Sequence, residues 1–261
     1  MFELQFILIG VIQGITEFLP ISSSGHLVLF GQLSNWEDQG LFTDIAVHFG
    51  TLFAVIFYLR KDIFYLFANV FQFKFIKDQI IFKIILSTLP AILIGYFIYD
   101  YVSIYFRNIQ LIAISSMLFA IILYLADRIQ IQNKSWKKIT YLEALLVGLF
   151  QALAFIPGAS RAGVTITGAR FLGYDRLNAA RFSMILSIPI ILASMTLSLI
   201  NVSKENYVDV NLSQSFTAAI VAFITALLSI IFLMKFIKTF NFNIFIIYRF
   251  LLGILLLLFA Q

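Results

Sequence analysis

The stretch GVIQGITEFLPISSSGH, residues Gly10 to His26, decides how the chain is read. An apolar helix carries a carboxylate, Glu17, and then stops at Pro20 and a run of three serines and a glycine. With its end placed at Leu19, the helix is about four turns long, too short for a hydrocarbon core of ~30 Å, which takes roughly 20 helical residues. Non-helical backbone at membrane depth is stable only where protein or a water-filled cavity satisfies its N–H and C=O groups. Glu17, Ser22, Ser23, Ser24 and His26 are therefore expected to face such a cavity, and ionisable groups at that depth mark a functional site.

A second copy follows. GLFQALAFIPGASRAG, Gly148 to Gly163, aligns with Gly10 to Gly25 without a gap at an offset of 138. Gly10 pairs with Gly148, Gln13 with Gln151, Ser22 with Ser160 and Gly25 with Gly163, and only the proline slips by one place. Ser23 aligns with Arg161 and Glu17 with Phe155, so the copies share a backbone design and divide the chemistry. Paired broken segments at equivalent places in two halves point to a mid-membrane binding site at a repeat interface.

Composition sets the class. With 61% hydrophobic residues, 12% charged, 30 Phe and a mean hydropathy of +0.98, the 261 residues are expected to form an all-α integral membrane protein. No cleavable signal is evident, because the first apolar run is preceded by acidic Glu3 and carries Glu17. Zero cysteines exclude disulfides and thiolate metal sites, and two histidines argue against multi-histidine zinc, so any metal is a hard cation bound by oxygen. The net charge of +5 sits in short loops between apolar runs, which fits lipid headgroups and topology rather than nucleic acid.

Full spans are expected at 42–59, 79–101 and 107–126, with an aromatic interfacial segment at 63–78. Repeat one covers 1–126, a basic linker with solvated lysines covers 127–140, and repeat two covers 141–261. In repeat two the broken segment occupies 141–173, and spans follow at 177–200, 214–234 and 243–260. His48 and Asp44, one helical turn apart, read as a polar spot between helices, and Arg170, Arg181 and Arg249 as interfacial or interhelical. Each repeat thus holds one re-entrant broken helix and three transmembrane helices, an odd count that gives the halves inverted topology.

Charge supports that arrangement. Arg60, Lys61, Lys74, Lys77, Arg128, Lys134, Lys137, Lys138, Arg176, Lys235 and Lys238 fall on one side. The other holds Arg107 and Lys204 among Glu37, Asp38, Asp100, Glu205 and Asp209. The basic side is cytoplasmic by the positive-inside rule, both termini face outward, and the two broken tips meet near the midplane. There, helix N-termini, Arg161 and the hydroxyls of Ser22, Ser23, Ser24, Ser160 and Thr165 make an anion pocket, and arginine suits phosphate oxygens in pairs. Glu17 beside a phosphate must be protonated, bridged by a divalent cation or used as a base, which suggests phosphoryl chemistry.

The runs QGITEFLPISSSGH and PGASRAGVT resemble the two signature motifs of the undecaprenyl-diphosphatase family, also called the bacitracin-resistance family. The likeness extends over the whole chain, through LFTDIAVHFGTLFAV and AARFSMILSIP. It implies a bacterial inner-membrane enzyme that hydrolyses undecaprenyl diphosphate to the monophosphate on the outer face, with a divalent cation, recycling the carrier for wall polymers. Carried over, Gln13 and Glu17 fill the acidic-helix motif, Ser23 and His26 the places of nucleophile and acid/base residue, and Ser160, Arg161 and Thr165 those of the phosphate clamp. Ser22 and Ser24 join Gln13, Ser160 and Thr165 as substrate-binding residues, and Glu17 is the ligand for Mg or Ca. Ala162 stands where the family commonly has a second serine, which removes one phosphate hydrogen bond.

Two routes are open at this level: attack by Ser23 with His26 or Glu17 taking its proton, or attack by water activated by Glu17. The alternative class is a polyprenyl-phosphate flippase or other secondary transporter, which inverted repeats describe equally. Partners are the polyprenyl diphosphate lipid, membrane lipids and, as an allowed assembly, a second copy in a homodimer.

Overall fold

The computed structural model describes residues 2–34, 40–71, 80–105, 108–204 and 212–259, and among these every regular element is helical. Helices run α1 Phe2–Thr16, α2 Ser23–Ser34, α3 Gly40–Tyr58, α4 Arg60–Phe71, α5 Ile80–Tyr105 and α6 Ile109–Asp127. They continue as α7 Tyr141–Ala152, α8 Arg161–Phe171, α9 Arg176–Lys204, α10 Leu212–Phe236 and α11 Asn243–Phe259. Trp36, Glu37, Asp38, Lys74, Lys77, Arg107, Glu205 and Asp209, and the side chains of Asp100 and Lys204, lie outside what is described.

Among the described residues, four helices are long and apolar enough to cross a membrane: α5 over Ile80–Ile98, α6, α9 over Arg176–Ile200, and α10. A fifth candidate is the pair Phe42–Tyr58 and Arg60–Ala68, bent by 72° at Leu59. The aromatic segment expected at 63–78 begins within α4, and its residues 72–78 lie outside the described residues. At 17 residues, α11 is at the lower limit for a span. The chain is thus a multi-pass integral membrane protein.

The first helix stops at Thr16, three residues before the expected Leu19. Proline disfavours helical backbone at the residue before it and clashes with the carbonyl four residues back, so Pro20 ends the ladder at Thr16. Glu17 closes the last turn, its N–H donating to the Gln13 carbonyl at 3.0 Å. α1 packs along α10, and α7 along α5. Both contacts use glycine: a Cβ on Gly10 would sit 2.6 Å from the Ala218 carbonyl oxygen, and one on Gly148 would overlap the backbone of Ser87. Gly10→Leu is therefore expected to overpack α1 on α10 and cost about 1–3 kcal/mol, read as a lowered thermal midpoint in detergent.

One end of the bundle is tied by charge. Asp127, buried at the end of α6, accepts from Arg170 Nε at 3.2 Å and from Arg176 Nε and Nη2 at 2.8 and 2.9 Å. It also accepts from the Phe242 N–H at 3.3 Å, which fixes the turn into α11. The linker is not a solvated strap as its lysines suggested. Trp136 is fully buried, Lys134 pairs with Glu143 at 2.7 Å, and Lys137 lies over the Tyr65 ring 4.0 Å from its centroid. Glu143 also caps α7 in a capping box with Thr140 and accepts from the Tyr174 hydroxyl at 2.9 Å. Burial raises the affinity of Glu143 for a proton, but these donors outweigh it and hold the carboxyl below its ordinary range.

Candidate active site

Both broken segments turn through a serine with left-handed backbone, Ser22 at φ 71° and Ser160 at φ 69°. These are the only non-glycine residues of positive φ among the described residues, and they stand at the repeat offset of 138. Each turn launches a helix, α2 at Ser23 and α8 at Arg161. The Ser160 hydroxyl caps α8 by accepting from the Gly163 N–H at 3.2 Å.

Hydrogen bonds join the two tips. The Gly158 N–H donates to Ser24 Oγ at 3.3 Å, and Arg161 Nη2 donates to Glu17 Oε1 at 2.7 Å. Around this junction lies a cavity of ≈ 730 Å³ whose polar end holds Glu17, Ser22, Ser23, Ser24, Ser160 and Arg161. Its flanks are apolar, built by Ile92, Gly95 and Tyr96 of α5 and by Ile190, Leu197 and Ile200 of α9. Pro90 and Pro189, each lacking a backbone donor, stand one residue before the first lining positions Ala91 and Ile190.

The expected site residues do not all reach the cavity in the same way. Glu17, Arg161 and Ser23 face the cavity together, and no hydrogen-bond partner for the Ser23 hydroxyl is found among the described residues. Gln13 stands behind Glu17, donating one amide hydrogen to Glu17 Oε2 at 2.8 Å. Ser22 and Ser24 share a hydrogen bond of 3.1 Å and, with the Gly158 contact, brace the junction. Thr165 is fully buried behind the clamp, with its hydroxyl on the Arg161 carbonyl at 2.8 Å and on Ser183 Oγ at 2.6 Å.

His26 is held elsewhere. Its Nδ1 meets the Ser22 carbonyl at 2.7 Å, so that nitrogen carries the proton, and Nε2 meets the Tyr248 hydroxyl of α11 at 2.6 Å. The ring stacks on Tyr248 and is not among the cavity-lining residues. His48, which with Asp44 read as a polar spot between helices, does line the cavity. Its Nδ1 donates to the Asp44 carbonyl at 2.7 Å, which leaves Nε2 to accept the second amide hydrogen of Gln13 at 3.2 Å. A chain of His48, Gln13, Glu17 and Arg161 thus runs across the tip. A histidine inside an apolar span was the available signal for this role.

Oxygen donors for a hard cation are present. Glu17 offers a carboxylate, and the amide oxygens of Gln13 and Gln151 are buried with no hydrogen-bond partner. One carboxylate with neutral oxygens suits a cation that takes its remaining ligands from phosphate and water, as Mg²⁺ does.

Comparison with known proteins shows the family. The family model described as bacitracin resistance protein BacA matches residues 6–255. The chain belongs to the BacA family. Two relatives named undecaprenyl-diphosphatase are similar over nearly full length. The one from Saccharophagus degradans is 43% identical over 257 residues, 96% of this chain and 95% of its own. The one from Idiomarina loihiensis is 38% identical over 260 residues, 98% of each. The BacA match spans both tips, so Glu17 and Arg161 lie within it together.

Proposed function

We propose that this chain hydrolyses undecaprenyl diphosphate to undecaprenyl phosphate and inorganic phosphate, recycling the lipid carrier for cell-wall polymers. The observation that carries this reading is the joining of Glu17, Ser23 and Arg161 at the polar end of a cavity with apolar flanks. An isoprenyl chain fits along α5 and α9, where Ile190 to Ile200 covers about 15 Å at ~1.5 Å per residue. The diphosphate then lies against Arg161 and the N-termini of α2 and α8, whose free N–H groups favour anions.

The ion pair between Glu17 and Arg161 has a consequence for the order of events. A diphosphate that takes the guanidinium frees the carboxylate, so substrate binding itself prepares the base. Ser23 Oγ attacks the terminal phosphorus, its proton passes to Glu17, and the bond from that phosphorus to the bridging oxygen breaks, releasing the lipid monophosphate. Glu17 returns its proton to the departing monophosphate oxygen. Water then attacks the phosphoserine with its proton passing to Glu17, the Ser23 Oγ–P bond breaks, Glu17 reprotonates Ser23 Oγ, and inorganic phosphate leaves. Glu17 is assigned as base in place of His26, both of whose ring nitrogens are engaged away from the cavity. Glu17 with Gln13 would hold a divalent cation, which when bound supplies positive charge to the phosphate oxygens.

The halves are proposed to be inverted repeats meeting in a bacterial inner membrane, with the cavity open to the extracytoplasmic side. Supporting this are the matched serine turns, the matched glycine contacts of α1 with α10 and of α7 with α5, and the basic end gathered around Asp127. Single cysteines at positions 60 and 137 are expected to resist an impermeant thiol reagent on intact cells, while those at 36 and 204 label. Labelling at 137 contradicts this orientation. The function is tested by phosphate release from undecaprenyl diphosphate incubated with the purified protein in detergent.

A further inference from the structure

Arg249, in the middle of α11, is completely buried. Among the described residues no carboxylate lies within ion-pair distance of it. Removing one partner of a buried pair costs several kcal/mol because the remaining charge is uncompensated, and Arg249 stands in that condition by design of the fold. Its Nη2 donates to the Gly158 carbonyl at 2.8 Å and to the Ala159 carbonyl at 3.0 Å, and its Nε to Ser116 Oγ at 3.4 Å. Its Nη1 is buried without a partner. A Cβ on Gly163, in the first turn of α8, would be 3.0 Å from that nitrogen, so the unpartnered end points at the N-terminus of α8.

The two carbonyls belong to the turn that places Ser160. A trans peptide sets its N–H opposite its C=O, so holding the Ala159 carbonyl on Arg249 turns the Ser160 N–H away from α11. Ser160 lines the cavity and Arg249 does not. Beyond Ser160, the Arg161 and Ala162 N–H groups belong to the first turn of α8, where backbone donors lack intrahelical acceptors. With Gly158 at φ 89° and Ser160 at φ 69°, this turn adopts backbone that needs an external hold.

We propose that Arg249 is a positioning residue of the phosphate site, a second positive charge that acts through the Gly158–Ser160 turn by aiming its amides at the diphosphate. This rests on the phosphatase reading above. Its ligand class is a phosphate ester or anhydride, reached only through the turn, while Arg161 makes the direct contact.

The test uses Arg249→Lys and Gly163→Ala in the full-length protein in detergent, with undecaprenyl diphosphate as substrate and inorganic phosphate as a competing ligand. Lysine keeps the charge but loses the fork that bridges the turn to Ser116, and the alanine methyl crowds Nη1 while leaving the arginine in place. Turnover of each folded variant is expected to fall about 10²-fold, the scale of losing one oxyanion donor, and inhibition by phosphate to weaken in parallel. Added guanidinium is expected to restore part of the turnover of Arg249→Ala. A purely structural arginine would lower the thermal midpoint yet leave turnover per folded molecule and phosphate inhibition unchanged, and that result in either variant overturns the proposal. Absence of hydrolysis by the wild type would instead overturn the phosphatase reading.

Discussion

Replacing Ser23 by alanine is expected to lower phosphate release on the order of 10⁴-fold or more, while leaving lipid binding largely intact. The hydroxyl stands at the start of α2, in the cavity, with no protein partner found among the described residues. Its loss removes the covalent route, yet Arg161 and the two helix N-termini remain to hold the diphosphate. If water were the nucleophile, Ser23 would supply one donor, whose removal costs about 10²- to 10³-fold. Turnover at saturating substrate, with acid-quenched wild type examined for phosphoserine, separates the two. A Ser23→Ala enzyme keeping a tenth of normal turnover would move the chemistry to a water activated by Glu17.

Arg161→Lys is expected to be the next most damaging change, lowering kcat/KM by about 10²-fold or more. One face of the guanidinium already reaches Glu17 at 2.7 Å, and Nη1 reaches the Ser183 carbonyl at 3.4 Å. The planar fork can hold phosphate oxygens and stay anchored; an ammonium is a point charge that must give up one contact for another. The alternative is a structural ion pair, for which lysine suffices. Near-normal kcat/KM in Arg161→Lys, at unchanged thermal midpoint, would establish that alternative.

Much of this site was legible before any coordinates. The gapless offset between Gly10–Gly25 and Gly148–Gly163 located both tips, and the serine turns at Ser22 and Ser160 fall on that alignment. Glu17 with Arg161 was recoverable because a carboxylate and a guanidinium at membrane depth must each find a partner. What escaped was decided by partners distant in sequence. His26 shares a tip with Ser23, but Tyr248 on α11, 222 residues away, takes its Nε2. Thr165 belongs to the motif of the clamp, yet Ser183 on α9 draws its hydroxyl into the core. His48 reaches the cavity only because α3 lies beside α1, bringing it to Gln13. The buried ties of the linker, through Trp136 and Lys134, likewise depend on where α7 and α9 pack.

The role of this junction is tested most directly by phosphate release from undecaprenyl diphosphate, using purified wild type and Glu17→Gln in detergent, with binding of the lipid followed in parallel. The expected result is one phosphate per lipid, with the monophosphate as the only lipid product, and binding without release in Glu17→Gln. Wild-type protein that binds the lipid but releases no phosphate would contradict the account and leave a carrier of polyprenyl phosphates in its place.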